Sequence, residues 1–260
     1  MVVTETSSTG GVDFASQASN TAACVIEWGT RGGIVTELKT SCDDDYILDL
    51  VSRVAKLGID VPLGWPSPFV EALRMHAHDG SWPAHYEHRT NLKDYRLRST
   101  DNWVHDSLKL PLPLSVATDR IAIPTMRAAA IFARITPRPP LDGSGRVIEV
   151  YPAAALARWG FLSKGYKGKA NFETRRALVE DIANTTSTWL SFTDEQQAWC
   201  VEDDNVLDSL IASLVSRAAM IGLSESIPLA LRDAALREGW ISIPRDGSLA
   251  MLASGWPEQS

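Results

Sequence analysis

Acidic residues end three short apolar runs in this chain, and this pattern constrains its fold more than any other feature. Asp13 follows Gly-Gly-Val, Asp60 follows Leu-Gly-Ile, and Glu149 follows Arg-Val-Ile. A lone ionised carboxylate within such β-type sequence costs several kcal/mol unless a positive charge compensates it. A divalent metal ion is the simplest source of this positive charge for several carboxylates at once. We therefore expect the three runs to end at one edge of a sheet, around a cation.

A fourth acid, Asp208, lies inside a segment with helical periodicity that begins near Asp204. The apolar positions of this segment keep one face for about four turns; they are Leu207, Leu210, Ile211, Leu214, Val215 and Ala218. Asp204 and Asp208 are four residues apart and share a face at the flank of this stripe. The spacing predicts that both carboxylates turn toward the sheet.

Each acid also has a purely structural alternative. Asp13 could form a turn at a strand end, and Asp60 could form an Asx turn before Pro62. Glu149 could pair with Arg146 or another nearby arginine, and Asp204 could be an ordinary helix N-cap.

The order of elements predicts an α/β fold with a mixed five-stranded sheet flanked by helices. Three antiparallel N-terminal strands come first and parallel strands follow. The predicted strands are Val12–Ala15, Thr21–Trp28, Ile34–Leu38, Ile59–Leu63 and Arg146–Tyr151, with a further edge strand over Gly239–Pro244. A helix is expected from Ser41–Asp44 to Gly58, and another over Ser224–Arg237, with its first turn near Pro228.

The same pattern predicts one domain over residues 11–244, with flexible tails at 1–10 and 245–260. Residues 80–113 mix aromatic, basic and proline residues without a period, which is typical of an insertion. The chain has 260 residues, of which 45% are hydrophobic, enough for one large core.

Several classes of protein are disfavoured by composition. No apolar stretch approaches the roughly 18 residues of a membrane span, so we expect no membrane partner and a cytoplasmic location. The three cysteines lack the spacing of a disulfide framework or a zinc site. The net charge of −7 argues against nucleic-acid binding by the whole surface.

Two local basic stretches still allow a nucleic acid, DNA or RNA, as partner. Arg158–Arg176 is one, and His85–Arg98 is the other. From these stretches we predict substrate contacts by Lys164, Lys167, Lys169 and Arg175, and a phosphate contact by Arg98 oriented by Asp101.

Carboxylates are the ligands of hard cations such as Mg²⁺ and Mn²⁺. A cluster of them suits metal-assisted hydrolysis, in which bound cations activate water and stabilise the departing oxygen. We therefore predict a phosphodiester hydrolase with Asp13, Asp60, Glu149 and Asp208 as catalytic residues. The predicted metal ligands are these four together with Asp204.

The order of motifs resembles the domain-of-unknown-function 429 (DUF429) family, which is placed among predicted nucleases of the ribonuclease H-like superfamily. The motifs are Gly-Val-Asp13, Gly-Ile-Asp60-Val-Pro-Leu-Gly, Arg98-Ser-Thr-Asp101, Glu149-Val-Tyr-Pro, Arg175-Arg176 and the Asp-Asp-x-x-x-Asp208-Ser-Leu helix. The resemblance implies that Asp13 is the central ligand on the first strand, and Asp60 the ligand on the fourth. It also implies Asp208 as the helix carboxylate, with Glu149 beside it. Ser209 stands where the family usually has alanine.

Two other functions fit the same pattern. An actin-like or sugar-kinase-type phosphotransferase shares the early aspartate, but it needs glycine-rich phosphate loops. After Asp13 there is no glycine before Gly29, and after Glu149 none before Gly160. A non-catalytic nucleic-acid-binding relative would keep the fold and lose turnover.

Overall fold

A mixed six-stranded sheet organises the protein, whose computed structural model describes residues 7–83 and 92–254. The strands are β1 (Ser7–Asp13), β2 (Ala22–Gly29), β3 (Gly32–Lys39), β4 (Lys56–Asp60), β5 (Val147–Glu149) and β6 (Leu190–Ser191). Their order is β5-β4-β1-β2-β3-β6. β1, β2 and β3 pair antiparallel, whereas β4 pairs parallel with β1, β5 with β4 and β6 with β3. The α/β prediction with a mixed sheet is confirmed, β6 is an edge strand that was not predicted, and the architecture is roughly ribonuclease H-like.

Helices flank both faces of the sheet. They are α1 (Asp44–Arg53), α2 (Ser67–Asp79), α3 (Leu92–Arg96), α4 (Ser99–Asp106), α5 (Ala122–Phe132), α6 (Pro152–Arg158), α7 (Phe172–Thr186), α8 (Asp194–Glu202), α9 (Asp204–Met220) and α10 (Arg232–Glu238). Alternate strand residues define two cores. Val12 and Ile59 pack with residues of α1 and α5, whereas Cys24 and Ile148 pack with residues of α6 to α9.

Two glycines bring α9 unusually close to the centre of the sheet. Gly11 and Gly58 are register partners on β1 and β4. A Cβ atom on Gly11 would lie 2.1 Å from the backbone oxygen of Ser209, and one on Gly58 would lie 2.6 Å from Ser216 Oγ. Only glycine fits such an approach. The close contact places the first turns of α9 beside the carboxyl ends of β1 and β4.

Several predicted boundaries are wrong. Residues 7–10, assigned to the N-terminal tail, belong to β1. The first helix ends at Arg53, and Gly58, expected to terminate it, lies inside β4 because α9 packs against it. The segment after residue 245 contains a short 3-10 helix, Ser248–Met251, and buries Leu249. Its backbone is tied to α9 by the guanidinium of Arg217.

The C-terminal strand and helix also differ from expectation. Gly239–Pro244 forms only isolated bridges, one of them between Glu149 and Ile241. In the predicted helix over Ser224–Arg237, a 3-10 turn, Leu229–Leu231, follows Pro228 directly, and α10 continues it from Arg232. Because Pro228 donates no backbone hydrogen bond, it precedes the helix rather than lying within it.

The predicted insertion contributes structure to the domain. Its described part includes α3 and α4, and Val104 of α4 packs with Ala154 and Ile241 in a small third core. Glu238 accepts hydrogen bonds from the backbone nitrogens of Ser67 and Ser99, at the starts of α2 and α4. His85 and Arg89 of the basic stretch lie outside the described residues.

None of the helices in residues 7–83 and 92–254 has the length and apolar character needed to cross a membrane.

Candidate metal centre

Three of the predicted acids converge at one edge of the sheet. Asp13 ends β1 and Asp60 ends β4, and the two residues are register partners on these parallel strands. Asp208 comes from the second turn of α9. One carboxylate oxygen of each residue lies within 4.8 Å of those of the other two. The carboxyl ends of parallel strands and the close approach of α9 together produce this cluster.

Burial and mutual repulsion make two of these carboxylates hard to ionise. Burial is the largest effect on Asp13, and the charges of Asp208 and Asp60 add to it, so the pKa of Asp13 lies well above its usual value. Burial chiefly raises the pKa of Asp60 to about 7, while the charge of Lys167 opposes this shift. The site therefore strongly favours the presence of positive charge.

Asp208 has a carboxylate oxygen beside which a positive charge can lie. The residue is completely buried, and its Oδ1 accepts a hydrogen bond of 2.8 Å from the hydroxyl of Tyr166. Its Oδ2 forms an ion pair with the ammonium group of Lys167 and has no further partner among the described residues. A buried carboxylate oxygen whose one partner is a cation, beside two further carboxylates, suits a hard divalent cation. The donor set therefore fits Mg²⁺ or Mn²⁺.

Hydrogen bonds from the guanidinium of Arg175 hold the backbone of the loop that carries Tyr166 and Lys167. This arginine is buried, and its guanidinium donates to the carbonyl oxygens of Tyr166 and Val201, at 2.8 Å and 2.7 Å. It also donates to the carbonyl of Gly168. The guanidinium is thus used to hold the backbone, and it is not presented to a substrate as the sequence predicted.

Glu149 is not brought into the cluster, because of strand register. It pairs with Ile59 on β4, one residue before Asp60. Side chains alternate between the faces of a sheet, so Glu149 points to the face opposite Asp60. There it is buried, and both of its oxygens accept hydrogen bonds from Arg98, at 2.6 Å and 2.7 Å. The structural alternative for Glu149, an ion pair with an arginine, is therefore the correct one, and the arginine is Arg98 instead of Arg146.

Arg98 and Asp101 form a buried ion pair next to the site. Arg98 donates to both oxygens of Asp101, at 2.8 Å and 3.2 Å, and both side chains are at most 1% exposed. Burial raises the pKa of Glu149, and the charge of Arg98 opposes that rise. Because its guanidinium pairs with two buried carboxylates, Arg98 stabilises the residues that form the wall of the site.

The remaining predicted residues lie around the cluster. Asp204 accepts a hydrogen bond from the backbone nitrogen of Gly168 and lies 3.6 Å from Arg175, whereas the neighbouring Asp203 caps α9. Lys164 and Lys169 are both exposed. Asp204 and Lys164 line the same cavity as Asp13 and Asp60, and Lys167 does so as well.

This cavity has a volume of about 970 Å³. Its wall includes three residues that the sequence analysis missed, namely Arg120, Tyr151 and Tyr166. Burial, and then the charge of Asp60, raises the pKa of Tyr151 to about 12, so its hydroxyl stays protonated at neutral pH. The glycines on both sides of Tyr166-Lys167 are a signal that could have indicated a loop with an unusual backbone conformation. Arg120 lies in a segment without hydrophobic periodicity, which contains no such signal.

Fold and site together define an α/β domain with a carboxylate cluster at the carboxyl edge of its sheet. The chain belongs to the family described as "Protein of unknown function (DUF429)", whose model matches residues 11–231. No curated protein and no solved structure matches this chain.

Proposed function

We propose that this protein is a divalent-metal-dependent phosphodiester hydrolase of the nuclease type, within the ribonuclease H-like superfamily. The observation that carries the proposal is the cluster of Asp13, Asp60 and Asp208, in which the buried Asp208 Oδ2 is paired only with the ammonium group of Lys167. The order of the strands supports the superfamily assignment. A cytoplasmic location and a nucleic-acid partner belong to the same proposal.

The three aspartates would hold Mg²⁺ or Mn²⁺. Such a cation supplies a Lewis acid and lowers the pKa of a coordinated water. The chain itself would place the substrate: Lys164 and Arg120 are exposed on the cavity wall, where they can neutralise phosphate oxygens. The protonated hydroxyl of Tyr151 is a further hydrogen-bond donor on that wall.

Thermal melts with Mn²⁺ or Mg²⁺ test the metal site. We expect the cation to raise the Tm of the wild type, because a ligand that binds only the folded state stabilises it. Asp13→Asn keeps the shape of the side chain and removes its charge, so it should lose most of this gain. Asp181→Asn, at an exposed position on α7, is the matched control. A wild type that gains no stability from either cation contradicts the metal site.

Cleavage assays test the reaction. Single- and double-stranded DNA, RNA and a branched junction are incubated with Mn²⁺, with Mg²⁺ or with a chelator. We expect metal-dependent cleavage of at least one of these, which Asp13→Asn abolishes and Asp181→Asn retains. Metal binding without any cleavage would favour the non-catalytic relative. Binding to the probes should weaken with salt, and also in a Lys164→Ala variant, because phosphate contacts release counterions.

A further inference from the structure

The ammonium group of Lys167 is the one partner of the buried Asp208 Oδ2 among the described residues. Lys167 also lines the cavity that Asp13 and Asp60 line. One lysine thus pairs with Asp208 and shares a cavity with the other two acids of the cluster. No other cation in residues 7–83 and 92–254 forms an ion pair with Asp13, Asp60 or Asp208.

We propose that Lys167 is a built-in counter-cation, which occupies the carboxylate cluster in the metal-free protein and gives way when a divalent cation binds. Lys167 would thereby set the metal affinity of the site. The inference rests on the proposed metal site and adds a residue that competes with the metal for it.

The exposure of Lys167 permits such an exchange. Its side chain is 53% exposed, whereas that of its partner Asp208 is 1% exposed. The ammonium group can therefore move into water without leaving a buried charge on the lysine. Arg98 offers the contrast, because its side chain is 1% exposed and is held by two carboxylates.

The backbone around Lys167 does not need to move. Tyr166 is anchored through its hydroxyl to Asp208 and through its carbonyl to Arg175. The carbonyl of Gly168 also accepts a hydrogen bond from Arg175. Rotation of the flexible lysine stem is therefore sufficient to empty the position beside Asp208 Oδ2.

Removing the competing charge should strengthen metal binding. Two like charges within a few ångströms repel strongly even at high effective dielectric. We therefore expect Lys167→Met to bind Mn²⁺ at least about tenfold more tightly than the wild type in calorimetric titrations. In chelator, the same variant should have a lower Tm than the wild type, because three carboxylates then repel without a counter-charge.

Two matched variants separate this role from a general charge effect. Lys167→Arg keeps a cation next to Asp208 and should bind Mn²⁺ within about threefold of the wild type. Lys164→Met removes an exposed lysine from the same cavity and should also leave the affinity within that range.

The outcomes distinguish this inference from the proposed function. Mn²⁺ binding by the wild type, together with tighter binding by Lys167→Met, supports the exchange. Equal or weaker binding by Lys167→Met overturns the exchange and leaves the metal site intact. If neither protein binds Mn²⁺, both the metal site and the exchange are refuted.

Discussion

Replacing Asp60 by asparagine should stabilise the metal-free protein at neutral and higher pH. The structure raises the pKa of Asp60 to about 7, mainly through burial. In an unfolded chain the value is about 3.9. Below about pH 4 the carboxyl group is protonated in both states. As the pH rises from about 4 to 7, the unfolded chain loses its proton first, so the folded protein is progressively destabilised.

The size of the effect follows from the two pKa values. A difference between about 7 and about 3.9 corresponds to roughly 4 kcal/mol, as an upper limit. Asp60 is partly exposed to a large cavity, and solvent there screens its charge. We therefore expect Asp60→Asn to gain about 2 kcal/mol at pH 8. For a chain of this size, that is a rise in Tm of about 4–8 °C.

The assay is a series of unfolding curves in chelator between pH 4 and pH 9, for wild type, Asp60→Asn and the surface control Asp181→Asn. The advantage of Asp60→Asn should vanish toward pH 4. Saturating Mn²⁺ should stabilise the wild type more than the variant. If Asp60→Asn is no more stable than the wild type at pH 8, Asp60 is already satisfied by hydrogen bonds or cations, and the reasoning from burial and repulsion fails.

Three further substitutions probe other parts of the site. Asp208→Asn should not share the stabilisation, since it weakens the contact with Lys167; its Tm in chelator should lie below that of Asp60→Asn. Gly11→Ala should cost about 3 kcal/mol or more in urea unfolding, because its Cβ would collide with the α9 backbone. Arg98→Met should cost roughly 3–5 kcal/mol by leaving Glu149 and Asp101 buried without a cation. A loss below about 1 kcal/mol in either of the last two variants would contradict the packing described for it.

The sequence alone determined the α/β class and most of the carboxylate cluster. Asp13 and Asp60 end apolar runs that form adjacent parallel strands, and such ends meet at one edge of a sheet. The helical spacing around Asp208 turned it toward that edge. These inferences rest on local periodicity, which a single sequence contains in full.

Only the tertiary structure decided the roles of Glu149, Arg98 and Lys167. The face to which Glu149 points depends on strand register, and a difference of one residue reverses it. Its partner Arg98 is 51 residues away in the chain. Lys167 reaches Asp208 across 41 positions of sequence because the loop and α9 pack together. Such pairings depend on distances between distant segments, and local residue patterns do not encode those distances.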